Sequence, residues 1–331
     1  MHEPVLSVIL PMYNESEVVE PALAAVSAVL APLGLSFEIL CVDDGSRDDT
    51  FARLRRAASL DPRVVPLQLS RNYGKEAALA AGLERARGQA VLTLDADLQH
   101  PPRLIPAMVA AWQEGADVVS CVKRDRGDEG ALYKLMAAAF NRLMGGAAGA
   151  DFGGASDFKL LDRQVVDAIL ACPERHRFFR GLVAWVGFTT REIPFEVAER
   201  VAGTTKWSTR ALIRYSIRNL LSFSAFPLRL IAWLGGLMLT FTGLLGVWTL
   251  FRWVRGDSLA GFPTVILLQL IFGGLLLTSL GVIALYLAEM YEELKGRPAY
   301  LFKITGPPRT VAPGPAPSSA SSADSSAATT R

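Results

Sequence analysis

The chain has 331 residues, 51% of them apolar, with a mean hydropathy of +0.29, so it can bury a full domain and still hold apolar sequence in reserve. A formal net charge of only +2 excludes the chain-wide positive field that gathers nucleic acid, and no nucleic acid partner is expected. Cys41, Cys121 and Cys172 are scattered without CxxC spacing, which excludes a disulfide frame or zinc site and reads as reduced thiols in a cytosolic compartment.

The amino end shows no secretory signal pattern, and residues 1–4 run directly into a first strand at 5–10 (VLSVIL). A turn from Pro11 through Glu15 leads to a helix expected from Ser16, its cap, to residue 33. A second strand, 37–42, ends in Asp43, Asp44, Gly45 and Ser46, and the next helix opens near Asp48. Strand 64–69, helix 74–87, strand 90–94, helix 103–114 and strand 117–122 complete the pattern. Strands alternating with helices at this spacing predict an α/β fold: a doubly wound, mostly parallel sheet with right-handed crossovers. A dinucleotide-binding Rossmann domain would need GxGxxG after its first strand, and the turn here, LPMYNES, has no glycine.

Chemistry concentrates in AVLTLDADLQHPP, residues 90–102. Asp95 and Asp97 directly follow the apolar run, and in extended chain residues two apart face one side about 6.6 Å from each other, a spacing that takes a divalent cation. Gln99 adds a neutral oxygen. At the carboxyl end of a strand in an open α/β sheet, where ligands bind, this points to a metal holding a substrate diphosphate. The same residues also read as surface acids, one of them capping the helix that Pro101 and Pro102 introduce. His2, His100 and His176 are too dispersed to suggest a metal cluster.

ILPMYNE, VDDGSRDDT, RNYGKEAALAAGLERARG and LDADLQHPP, in that order, resemble the motifs of family 2 glycosyltransferases with the GT-A fold. The resemblance is to the branch of dolichyl-phosphate mannose synthase and bacterial undecaprenyl-phosphate glycosyltransferases, and DFGGASDFKLLDR and RVAGTTKWS extend it. It implies a nucleotide sugar donor, its base and ribose against Pro11, Tyr13, Glu15 and Asp43, with Lys75 and Asp95 toward the diphosphate. Each has a plainer role open to it: Pro11 and Tyr13 as turn formers, Asp44 and Ser46 as helix caps, Lys75 as a solvated cation. The resemblance also implies Mg2+ or Mn2+ at Asp95, Asp97 and Gln99, with Asp97 among the catalytic residues.

Past the fifth strand, KRDRGDEGALYK collects Lys123, Arg124, Arg126 and Lys134. In the family such positions hold the phosphate of a polyprenyl phosphate lipid acceptor, and a guanidinium suits that task because it grips two phosphate oxygens at once. Lysine stands at 123 where the family has arginine, so Arg126 is the expected catalytic contact, although interleaved acids also suit a solvated loop. Arg200 and Lys206 match an acceptor loop. Asp157 either lines the sugar pocket, acts as a base or orders its loop, and Lys159 stands where the family often has arginine.

Residues 208–229 read as a basic amphipathic helix in the membrane interface, with Arg210, Arg214 and Arg218 on one face. Residues 230–251 and 265–288 are apolar runs, each exceeding the roughly 20 residues that cross a bilayer. Cations cluster outside this pair, which the positive-inside rule reads as a multi-pass anchor in a bacterial inner membrane with both termini cytoplasmic. Residues 1–207 are then the catalytic domain, a homo-oligomer is compatible with this arrangement, and residues 307–331, rich in Pro, Ala and Ser, read as disordered.

Together these readings imply inverting transfer of a hexose, from a donor such as UDP-glucose, to undecaprenyl phosphate. Two rivals are a processive polysaccharide synthase, whose QxxRW motif is missing between Asp151 and Trp207, and a membrane-anchored protein that binds a nucleotide sugar or lipid without turnover.

Overall fold

The computed structural model describes residues 4–123, 155–175, 177–195, 226–256 and 262–303. The expected alternation is present: β1 (Leu6–Met12), α1 (Val19–Leu30), β2 (Phe37–Asp43), α2 (Thr50–Leu60), β3 (Val64–Gln68), α3 (Lys75–Arg85), β4 (Ala90–Thr93), α4 (Ile105–Gln113) and β5 (Val118–Lys123). Four further elements follow that the sequence reading did not resolve: β6 (Ala155–Asp162), α5 (Arg163–Ala171), α6 (Phe179–Trp185) and β7 (Thr190–Phe195).

The seven strands lie in the order β3-β2-β1-β4-β6-β5-β7. All neighbours are parallel except β6, which runs antiparallel to β4 and to β5. β2 and β4 are buried on both faces, as their near-continuous apolar runs require. One apolar layer joins the sheet to α1 and α4 through Val19, Val26, Ile105 and Met108; the other joins it to α3, α5 and α6 through Leu79, Leu83, Val165 and Leu182.

Pro11 lies inside β1 and not in the turn after it. Its missing N–H breaks no ladder: Leu94 N donates to Ile9 O as the last bond toward β4, and residue 11 lies past that pairing, while Met12 O accepts from Asp44 N on the β2 side. The antiparallel run of β6 decides what meets at the sheet's carboxyl end. Thr93 opposes Lys159, so Asp157 is carried past the end of β4 to the level of Asp95.

Two long helices follow, α7 (Phe226–Val254) and α8 (Phe262–Leu294), with exposed apolar side chains such as Leu237, Trp248, Leu277 and Leu285 along them. At about 1.5 Å per residue both exceed the roughly 30 Å of a hydrocarbon core. Pro227 stands in the first turn of α7, where a helix tolerates it. Residues 208–225 of the expected interfacial helix (208–229) and the whole of the expected tail (307–331) lie outside the described residues.

Candidate active site

The loops after β1 and β2 are stitched to one another. Asn14 N donates to Ser46 Oγ (2.9 Å), Arg47 N to Asn14 Oδ1 (2.8 Å), Glu15 N to Thr50 Oγ1 (2.9 Å) and Ser16 N to Asp48 Oδ2 (3.2 Å). The polar residues read as helix caps thus act across loops, and α1 starts at Val19, three residues beyond Ser16. Asn14 takes φ +51°, a left-handed conformation that Asn tolerates and that places its amide between the two loops. Tyr13 and Glu15 are half-buried in the same loop.

Asp43 is fully buried, with Oδ1 accepting from Ser46 N and Oδ2 from Gln68 Nε2, both at 3.0 Å. Asp44 does not cap α2. Its carboxylate accepts from Tyr73 N (2.7 Å) and Gly74 N (2.8 Å), and burial raises its pKa against the pull of these bonds. Gly45, at φ +66°, is required here because a Cβ would stand 2.4 Å from the Arg71 carbonyl carbon. The loop from Ser70 to Lys75 is thereby moulded onto the VDDGS turn.

Asp95 and Asp97 are not two apart in extended chain as expected. β4 ends at Thr93, Ala96 turns into the apolar core, and Leu98 adopts φ +56°, so the acids occupy a tight turn. Gln99 N donates to Asp97 Oδ1 at 3.1 Å, which fixes that carboxylate's direction. His100 is buried between the rings of Phe158 and Phe195, its Nδ1 3.7 Å from Asp95 Oδ2.

Lys75 is the centre of the charged cluster. Its Nζ lies 2.6 Å from Asp95 Oδ1 and 2.5 Å from Asp157 Oδ2. Burial disfavours its charge, but Asp157 and Asp95 more than offset this and hold the ammonium above its ordinary pKa. Arg180, from α6, reaches Asp157 from the other side, Nε to Oδ1 at 2.5 Å and Nη2 to Oδ2 at 3.0 Å. Burial would raise the pKa of Asp157, yet Lys75 and Arg180 hold its carboxyl well below the usual carboxylate range. Beneath it, Thr93 Oγ1 donates to the Asp157 carbonyl oxygen, and the buried Lys159 donates to Ser120 Oγ at 2.6 Å.

The structure therefore brings Lys75, Asp95, Asp97, Gln99 and Asp157 to one end of the sheet, and sets Pro11, Tyr13, Glu15 and Asp43 in the neighbouring loops. Lys123 ends β5; Arg124, Arg126, Lys134, Arg200 and Lys206 lie outside the described residues. Arg180, His100 and Gln68 were not anticipated. The signal for Arg180 was the concentration of arginines in RHRFFR, between two apolar helical stretches.

Residues 7–170 match the family model described as glycosyl transferase family 2. A glycosyltransferase of Synechocystis described as uncharacterized is 38% identical over 298 residues, covering 89% of this chain and 94% of the relative. The chain belongs to glycosyltransferase family 2. The prophage-derived bactoprenol glucosyl transferase of Shigella flexneri is 36% identical to this glycosyltransferase over 300 residues, 90% of this chain and 97% of the relative. Among solved structures, a mannosyltransferase of Pyrobaculum calidifontis in complex with GDP-Man and Mn2+ aligns with 67% of this chain and 62% of its own, at 24% identity and a TM-score of 0.44. The chain is an enzyme, and the reading as a binding protein without turnover falls away.

Among the described residues of the glycosyltransferase no three acids, histidines or cysteines converge as a closed metal cage. The hard oxygen donors of the Asp95–Gln99 turn nonetheless fit Mg2+ or Mn2+, because such ions bind through one or two carboxylates and take substrate phosphates for the rest.

Proposed function

We propose that this glycosyltransferase transfers a hexose from a nucleoside diphosphate sugar resembling UDP-glucose to undecaprenyl phosphate, with inversion, on the cytoplasmic leaflet of a bacterial inner membrane. The names of relatives similar over nearly their whole length support the lipid acceptor, and α7 and α8 supply the means to meet it. Pro11, Tyr13, Glu15 and Asp43 are assigned to the nucleoside, and Lys75 to the diphosphate. Lys123, Arg124, Arg126, Lys134, Arg200 and Lys206 are assigned to the acceptor phosphate. Asp95, Asp97 and Gln99 would hold Mg2+ or Mn2+, which when bound offsets charge on the leaving diphosphate.

The observation that carries the choice of acceptor is the state of Asp157. A hydroxyl acceptor needs a general base, and a carboxylate held strongly acidic by Lys75 and Arg180 is a poor one. A phosphate monoester, with a second pKa of about 6, is already mostly a dianion at neutral pH and needs none. Asp157 instead holds the Lys75 ammonium where a diphosphate would arrive.

Membranes containing the enzyme, incubated with labelled UDP-glucose, other UDP-sugars or GDP-mannose and with undecaprenyl phosphate, test this. A labelled lipid monophosphate sugar is expected. Label in a long polymer, or on a hydroxyl acceptor, would overturn it.

A further inference from the structure

After α8 ends at Leu294 the chain returns to the catalytic domain and lies along β3, the edge strand of the sheet. Ser70 N donates to Leu301 O at 2.8 Å, Lys303 N donates to Gln68 O at 2.7 Å, and Leu69 and Phe302 form an antiparallel bridge between these bonds. Side chains fasten the segment. The Tyr300 hydroxyl bonds Glu84, the Arg85 guanidinium lies 4.7 Å over the Phe302 ring, and the two aromatic rings meet edge to face at 5.6 Å. The root is tied as well, since Arg175 Nη1 reaches Glu292, in the last turn of α8, at 2.8 Å.

Covering an edge strand is an ordinary structural service. Gln68, however, bonds one aspartate of the VDDGS turn directly, and Ser70 reaches the other through Tyr73. Gln68 Nε2 donates to Asp43 Oδ2 at 3.0 Å. Ser70 Oγ bonds the Tyr73 hydroxyl at 3.0 Å, Tyr73 N donates to Asp44, and the Arg71 backbone between them packs against Gly45. We infer that Phe302, with Tyr300 and Lys303, is a positioning residue for the donor site: the strand leaving the membrane anchor holds the β3–α3 loop in the shape that receives the nucleoside. This rests on the assignment of Asp43 to the nucleoside side.

The test is calorimetric titration of the full-length enzyme in lipid nanodiscs with UDP and with GDP in the presence of Mn2+. Phe302→Ala removes the ring under Arg85 and is expected to raise the Kd of the nucleotide that wild type binds by about fivefold to tenfold. Lys303→Pro deletes the N–H donated to Gln68 and also fixes φ at 303 and restrains the backbone of Phe302, loosening the segment from β3, and is expected to raise it about threefold. Phe302→Tyr keeps the ring and the Arg85 contact and should bind within about twofold of wild type. A folding defect would lower the stoichiometry and leave Kd unchanged, which separates positioning from loss of structure. Unchanged Kd in both Phe302→Ala and Lys303→Pro overturns the inference alone; a wild type that binds neither nucleotide overturns it together with the donor assignment.

Discussion

Arg180 and Asp157 meet through a two-pronged contact, 2.5 Å and 3.0 Å, although they stand 23 positions apart in sequence with a helix between them. Asp157 is 6% exposed, so its charge depends on this guanidinium and on Lys75 and not on water. Removing one partner releases Asp157 from one side and lets Lys75 shift, and a displacement of about 1 Å near reacting groups can cost on the order of 100-fold in rate. Arg180→Ala is therefore expected to lower kcat by about tenfold to 100-fold, and Arg180→Lys to recover only part, since an ammonium cannot grip both oxygens. Steady-state transfer from labelled donor measures it, and an unaltered kcat in Arg180→Ala would remove the cluster from the mechanism.

Asp97 has the opposite setting. Its carboxylate is half-buried, directed by the Gln99 N–H, and sits on a turn whose backbone is strained at Leu98. If it serves as a metal ligand, Asp97→Ala should abolish lipid labelling while the protein still inserts into membranes, and Mn2+ binding followed by electron paramagnetic resonance should weaken in parallel. Chelation with EDTA should silence wild type, and added Mg2+ or Mn2+ should restore it. Near-normal labelling by Asp97→Ala would discard the metal assignment.

Gly45 offers a prediction on both stability and affinity. Alanine there would be strained at φ +66° and would drive its Cβ into the Arg71 backbone, which no rotamer change relieves. The strain alone costs on the order of 1–3 kcal/mol. Gly45→Ala should lower the melting temperature and raise the donor KM more than it changes kcat, because it separates the VDDGS turn from the Ser70–Lys75 loop. A fall in apparent kcat with the donor KM unchanged would instead argue for general unfolding.

The parallel half of the sheet was legible because β2 and β4 are nearly unbroken apolar runs and each ends in polar turn residues. The acid turn stood out as a candidate site for the same reason, since carboxylates at the end of a buried strand have little structural cause. What stayed hidden depends on strand order. That β6 inserts antiparallel between β4 and β5 is settled by pairing, not by local pattern, and only this places Asp157 beside Asp95. Arg180 is hidden for a related reason: the arginines of RHRFFR mark the stretch but not its partner, and the role of Arg180 exists only once Asp157 has been brought to it. The caps at Ser16 and Ser46 were misread because both have cap chemistry but bond across loops, a choice that depends on two turns lying side by side, while Asp48 bonds both the start of α2 at Thr50 and Ser16 across the gap.

Lys159 provides a pH signature. It is 5% exposed, and burial pushes its ammonium down to about 8, only partly resisted by Asp157. In the unfolded chain a lysine titrates at about 10.4, so between about pH 8 and 10.4 the unfolded state holds a proton that the folded state has released. Stability contributed by this group therefore rises with pH across that window, is constant below it where both states are charged, and is constant above it where both are neutral. Lys159→Met keeps a chain of similar length without the charge and removes this slope. The difference in melting temperature, wild type minus variant, should be flat from pH 6 to about 7.5 and then climb toward pH 10. A difference that stays constant across that range would mean that Lys159 is charged throughout, and that the Ser120 hydroxyl and Asp157 together offset its burial.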